Sequence, residues 1–158
     1  MEDAILRRTW AEIDLDALEH NYKVARTRIG DGVKYLGVVK ADAYGHGAPA
    51  VAGRLWQAGV RAFAVATPEE GAQLRRCGIT GEILVLGYAD AARIRELRRW
   101  RLCQTVTDPA HARALARAAG RRPLPVHIAV DTGMHRLGTD AGAAPAVAEM
   151  LRLPGLEV

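Results

Sequence analysis

Short apolar runs rich in β-branched residues recur along the chain at 36–40, 62–66, 83–86, 103–106 and 126–130. They lie roughly 20 to 27 residues apart, the length of one strand plus one helix. The stretches between them are amphipathic and carry readable ends. Thr67-Pro68-Glu69-Glu70 has the form of a capping box with proline in the first turn. Asp108-Pro109 opens a further helix in the same way, and Gly59, Gly78 and Gly120 stand where three helices should close. An earlier helix is predicted over 16–29, with Leu18, Tyr22, Ala25 and Ile29 on one face, and another around 144–151. Leu153-Pro154-Gly155 reads as a turn, and Leu156-Glu157-Val158 as the start of a sixth strand. Residues 8–13 also read as a strand, placed ahead of the first strand–helix unit.

Strands that are apolar throughout and alternate with helices predict a parallel α/β sheet. Two architectures satisfy the pattern: an open doubly wound sheet, or a (β/α)8 barrel of eight units and about 250 residues. The glycine fingerprint of a dinucleotide-binding fold does not follow the first strand. With 158 residues, five units and the start of a sixth strand, the sheet is either small and open or a portion of a larger barrel.

Composition adds little until the lysines are counted. Apolar residues make up 49% and charged residues 25%, a globular profile. No apolar run reaches the 18 or so residues of a membrane span, and Met1-Glu2-Asp3-Ala4 does not open like a secretory signal. A cytoplasmic protein is expected. The formal net charge is +4, but aromatics are only 5%, too few for a base-stacking surface. Nucleic-acid binding is therefore not expected, and the cluster Arg93, Arg95, Arg98, Arg99 and Arg101 reads as a solvated helix face. Cys77 and Cys103 lack disulfide or zinc spacing, and no metal site is expected. Only three of the 22 basic residues are lysines: Lys23, Lys34 and Lys40. An arginine-rich chain that retains a lysine at a strand end draws attention to it, because lysine forms covalent adducts and arginine does not.

Lys40 closes the first apolar run, at the carboxyl end of the predicted strand, where α/β enzymes place their sites. Gly45 and Gly47 follow, leaving backbone N–H groups free near a ligand. The competing reading is a salt-bridged or snorkelling lysine. Arg136 sits on a glycine-bracketed loop after the fifth strand, and its guanidinium fork suits a carboxylate or an anionic oxygen. Asp42 and His46 read as turn-shaping residues, His127 as a packed strand histidine, His135 as a solvent neighbour of Arg136, and Cys103 as core.

Four segments, in order and spacing, resemble the alanine racemase family. Val39-Lys40-Ala41-Asp42-Ala43-Tyr44-Gly45-His46-Gly47 resembles its pyridoxal-phosphate attachment motif. Trp10-Ala11-Glu12-Ile13-Asp14-Leu15-Asp16-Ala17-Leu18-Glu19-His20-Asn21 resembles its N-terminal segment. Ala64-Val65-Ala66-Thr67-Pro68-Glu69-Glu70-Gly71 resembles its second strand–helix turn, and Asp131-Thr132-Gly133-Met134-His135-Arg136-Leu137-Gly138 its loop after strand five. The resemblance implies a parallel (β/α) barrel over 14–158, continuing for about three more units beyond this chain. Residues 1–13 would hold a strand that pairs with a β-rich C-terminal domain. It implies pyridoxal 5'-phosphate as cofactor. Lys40 would be the attachment and acid–base residue on the D face, Tyr44 the phosphate partner, and Arg136 the binder of a substrate carboxylate or cofactor oxygen.

The implied reaction interconverts L-alanine and D-alanine, supplying D-alanine for peptidoglycan, in a homodimer. Serine racemases of the vancomycin-resistance type belong to the same family. The tyrosine that serves the L face lies in the C-terminal domain, outside these 158 positions, so the chain by itself is expected to be inactive. Many members carry a carbamylated lysine two residues before the Asp of the loop motif, steadying the arginine; Ala129 stands there in this chain. Two other readings stay open: a non-catalytic pyridoxal-phosphate-binding protein, and a small α/β binding module in which Lys40 is structural.

Overall fold

The computed structural model describes residues 9–30 and 32–158. Six strands form one all-parallel sheet: β1 (Leu36–Val38), β2 (Ala62–Val65), β3 (Glu82–Val85), β4 (Cys103–Val106), β5 (Leu124–Ile128) and, next to β5, the last strand β8 (Leu156–Glu157). Neighbours in the sheet follow chain order, with registers such as Phe63 opposite Ile83 and Gln104 opposite Val126. A two-stranded ladder of β6 (Val130–Asp131) and β7 (Thr139–Asp140) sits just past β5. The sequence rhythm predicted neither short strand. Of the predicted strand over 8–13, Arg8 lies outside the described residues. Thr9 to Ile13 run without a ladder partner among the described residues, and Trp10 is exposed.

Each crossover is a helix with a local reason to start. α1 (Leu15–Ile29) is capped by the Asp14 carboxylate, which accepts from the N–H of Asp16 and of Ala17, both at 2.9 Å, and it stops at Gly30, whose φ is +83°. After a single turn, α2 (Lys40–Tyr44), the crossover to β2 is α3 (Ala48–Gln57). α4 (Pro68–Arg76) starts where the Thr67 hydroxyl accepts from Glu70 N–H at 3.4 Å. The expected reciprocal half of that capping box does not form, because the Glu70 carboxylate points elsewhere. A 3-10 turn (Ala91–Arg93) leads into α5 (Ile94–Arg99), and Asp108 caps α6 (Pro109–Ala119) by accepting from His111 N–H at 2.8 Å. α7 (Ala144–Leu151) precedes β8.

The two faces of the sheet differ. Alternate strand residues Phe63, Ile83, Val85, Val106 and Val126 are fully or almost fully buried. They join helix residues such as Val51, Leu74, Leu97, Leu115 and Met150 in one core. Among the described residues the opposite face holds a small cluster of Ala64, Leu84 and Cys103 with Leu86 against it, and no described helix residue takes part. On that face Leu36 and Val38 are exposed. All helices thus pack on one side, which is the wall of a barrel rather than a doubly wound sheet.

The arginine cluster is not one solvated face, contrary to the sequence reading. Arg93 bridges Glu69 and Glu96, and Arg98 donates to the carbonyls of Ala119 and Arg122. Arg99 stacks on Trp100 with its guanidinium carbon 5.2 Å from the ring centre. Helix periodicity shows which side of α5 faces outward, but carbonyls delivered by the next crossover lie beyond its reach. No described helix is long and apolar enough to cross a membrane.

His111 lies buried at the start of α6, with Nε2 3.0 Å from Ala89 O and Nδ1 3.2 Å from the Thr107 hydroxyl. Burial pushes its pKa below the ordinary value, against the smaller opposing pull of Ala89 O and nearby aspartates. The unfolded chain therefore takes up a proton near pH 6.5 that the folded chain refuses, and stability falls as pH drops through that range. Thermal unfolding of the wild type should lose more midpoint between about pH 7.5 and 5.5 than His111→Gln does. Equal losses in the two proteins would remove His111 as the source.

Candidate active site

β1 ends abruptly. Val39 N–H still pairs with Ala64 O at 2.9 Å, as a parallel ladder requires. Two residues later the backbone turns left-handed. Ala41, Asp42, Ala43 and Tyr44 have φ of +49°, +53°, +54° and +57°. Four successive non-glycine residues in this region are rare, each costing roughly 1–2 kcal/mol. The single turn α2 is therefore a left-handed one, imposed by its surroundings. Ala43 N–H donates to Val39 O at 3.0 Å, and Gly47 N–H to Asp42 O at 2.9 Å. Gly45 and Gly47 also have positive φ, and neither has a neighbour within 4 Å of where a Cβ would stand.

Lys40 is the last residue before this turn and is half-buried. Its Nζ lies 6.0 Å from the centre of the Tyr44 ring, and Tyr44 is 62% exposed. The turn thus brings an amine and a phenol together at the carboxyl end of β1. Asp42 is engaged with the next helix: its Oδ1 accepts from Ala48 N–H at 2.7 Å, at the start of α3. His46 Nδ1 lies 2.9 Å from Ala43 O and 3.2 Å from Tyr44 O, within the turn.

Arg136 sits on the loop joining β6 to β7. Asp131 organises that loop, its Oδ1 accepting from Gly133 N–H at 2.9 Å and His135 N–H at 3.0 Å. The first of these bonds, then the second, holds the Asp131 carboxyl below its usual range. Gly138 lets the loop return, since a Cβ there would stand 2.8 Å from Asp131 N. Arg136 is exposed, and His135 beside it places Nδ1 3.1 Å from Asp131. Because all strands run parallel, Lys40 and Arg136 emerge at the same edge of the sheet. They do not touch; β2, β3 and β4 lie between them. At position 129 only a backbone link is present, Ala129 N–H to Val106 O at 2.9 Å and Thr139 N–H to Ala129 O at 3.0 Å.

His127 is not packed, contrary to the sequence reading. It lies on the helix-free face, with Nε2 3.4 Å from Glu82 Oε1 and more than half its side chain exposed. Glu82, Cys103 and His127 come from three adjacent strands, and their potential ligand atoms lie within 4.8 Å of one another. Sequence spacing could not show this grouping. Burial first, then the Glu82 and Glu157 charges, push the Cys103 thiol up to about 12, so it keeps its proton near neutrality beside the Glu82–His127 pair.

The chemistry available at the carboxyl edge is an amine for covalent attachment, a phenol to donate to an anionic group, and a guanidinium for a carboxylate or phenolate. This set suits an anionic aldehyde cofactor and an amino-acid substrate. Because α2 is strained, Ala41→Gly should stabilise the fold by up to about 1 kcal/mol, the opposite sign from the same change in an ordinary helix. A urea midpoint lowered by Ala41→Gly would contradict the strain.

Comparison with known proteins agrees with this architecture. A family profile described as alanine racemase, N-terminal domain, matches residues 13–158. The alanine racemase of Nostoc sp. is 41% identical over 158 residues, covering 96% of this chain and 41% of its own. The serine/alanine racemase of Enterococcus gallinarum is 46% identical over 133 residues, covering 84% of this chain and 19% of its own. Among solved structures, the Clostridium difficile alanine racemase in complex with cycloserine superposes with a TM-score of 0.88 at 34% identity, over 97% of this chain and 43% of its own. The Bacillus anthracis alanine racemase with bound L-Ala-P gives 0.86 at 34% identity, over 96% and 40%. The chain spans less than half the length of these relatives. The one-sided helix layer is therefore the wall of the racemase barrel, and this chain belongs to the alanine racemase family, matching its N-terminal domain.

Proposed function

We propose that this chain is the cofactor-holding part of a pyridoxal 5'-phosphate-dependent racemase that interconverts L-alanine and D-alanine. The observation that carries the reading is Lys40: a half-buried amine at the carboxyl end of β1, set by a left-handed turn beside the Tyr44 phenol. When bound, the cofactor supplies an electron sink for the charge left at Cα once its proton is removed. Lys40 would hold the cofactor through Nζ, with loss of water, and, once the substrate amine has displaced it, its freed amine would hold or return the Cα proton on one face. The Tyr44 hydroxyl donates to the cofactor phosphate. The Arg136 guanidinium, on the loop ordered by Asp131, would pair with the substrate carboxylate or the cofactor's phenolate oxygen. Racemisation also needs a proton donor on the opposite face. In this reading the remainder of the whole protein supplies it, within a cytoplasmic homodimer that provides D-alanine for peptidoglycan.

Serine is the second substrate of the reading, favoured by the 46% identity to a relative named serine/alanine racemase. Ala129 leaves Arg136 without a neighbouring lysine, so its orientation rests on the Asp131 loop alone among the described residues.

The test uses the full-length gene product loaded with pyridoxal 5'-phosphate. Borohydride reduction followed by peptide mapping should place the pyridoxyl group on Lys40. Lys40→Ala should lose that label and lower racemisation of L-alanine by at least about a hundredfold. A label on Lys23 or Lys34, or full activity in Lys40→Ala, would overturn the assignment. Comparing L-alanine with L-serine in the same assay ranks the two substrates.

A further inference from the structure

The left-handed turn after Lys40 removes a rung from the β1–β2 ladder. In a parallel pair, every second residue of one strand donates to and accepts from the two residues that flank its partner. With Val38 opposite Ala64 and Val39 N–H on Ala64 O, two bonds should come next: Ala66 N–H to Val39 O, and Ala41 N–H to Ala66 O. Neither forms. Val39 O is taken by Ala43 N–H, and Ala66 O by Gly87 N–H at 3.1 Å. Two N–H groups are thereby stranded at the carboxyl end of the sheet, those of Ala41 and Ala66. Leaving such donors unpaired is costly.

Both are met by one side chain. Glu70 Oε1 accepts from Ala41 N–H at 2.8 Å, and Oε2 accepts from Ala66 N–H at 2.7 Å. We propose that Glu70 is a positioning residue for Lys40: its carboxylate replaces the missing rung and so fixes the peptide bond that leaves the lysine. Glu70 can reach because α4 begins immediately after β2, with Thr67 as its cap, and Glu70 lies in the first turn. Charge-assisted bonds of this kind are stronger than neutral ones, and two on one carboxylate define its geometry. Without the clamp the turn is free to relax its strain, and the Nζ of Lys40 moves with it.

This inference rests on reading Lys40 as the cofactor-bearing lysine, and the experiment separates the two. Glu70→Ala and Glu70→Gln are made in the full-length, cofactor-loaded protein. Activity is normalised to the amount of pyridoxyl label on Lys40 after reduction, so loss of fold or of cofactor does not count. Amide hydrogen exchange is followed at Ala41 and Ala66, with Phe63 and Val65 as ladder controls. In Glu70→Ala, exchange at Ala41 and Ala66 should quicken at least about tenfold while the controls hold, because both amides lose their acceptor. The kcat per labelled site should fall about tenfold or more with KM changed less than about threefold, as expected for a displaced reacting group. Glu70→Gln keeps one carbonyl acceptor and should fall between wild type and Glu70→Ala in both readouts. Unchanged exchange at Ala41, or wild-type kcat per labelled site in Glu70→Ala, overturns the proposal while leaving the function of Lys40 intact. A wild-type protein that never labels at Lys40 overturns both.

Discussion

A parallel ladder cannot run through a residue that turns left-handed. That constraint decides where β1 stops, and much else follows from it. At Lys40 the chain leaves the sheet through four non-glycine residues with positive φ. The turn reverses direction within a few residues, lets Asp42 start α3, and leaves the lysine at the rim rather than in the ladder. The strain is local, but the groups that hold it are distant in sequence: Glu70 is 29 positions from Ala41. The rim is therefore rigid only as part of an assembled sheet. A peptide containing residues 36–47 alone would have no reason to adopt this turn.

The parallel arrangement does the rest of the gathering. Strands joined by right-handed helical crossovers all end at one edge. Lys40 after β1 and Arg136 after β6 thus share an edge without any direct link between them. Each is set by a different device. Strain balanced by a remote carboxylate holds the lysine, whereas a local aspartate that collects two backbone N–H groups holds the arginine loop. Ala129 adds only backbone links beside that loop, so Asp131 is the side chain that orders it among the described residues.

Much of the fold was legible in the sequence because the strands and caps carry local signals. The five apolar runs and the final Leu156-Glu157 were found to within a residue or two, and Asp108 and Thr67 cap the helices they were expected to cap. Lys40 stood out as a strand-end lysine in an arginine-rich chain. What escaped was non-local. In Ala41-Asp42-Ala43-Tyr44 only Asp42 hints at left-handed backbone, since alanine and tyrosine disfavour it, and one aspartate does not announce four such residues in a row. The second acidic residue of Thr67-Pro68-Glu69-Glu70 looked like half of a capping box, yet its carboxylate closes a gap between two strands. The one-sided helix layer, the Glu82–His127 pair and the carbonyls held by Arg98 all depend on which elements become neighbours, and no single segment contains that information.

The two cysteines give the molecule a built-in chronometer. Cys77 is exposed, whereas Cys103 is buried in the small cluster on the helix-free face with its thiol pushed up to about 12. Thiolate is the reacting form, so an alkylating reagent meets Cys77 directly. It meets Cys103 only when the side chains that cover it, Ala64, Leu84 and Leu86, move aside. At a fixed pH the ratio of the two alkylation rates then follows how readily the cluster around Cys103 opens and lets its thiol ionise, read in one sample by the alkylating reagent itself. The middle of the sheet reports its own motion.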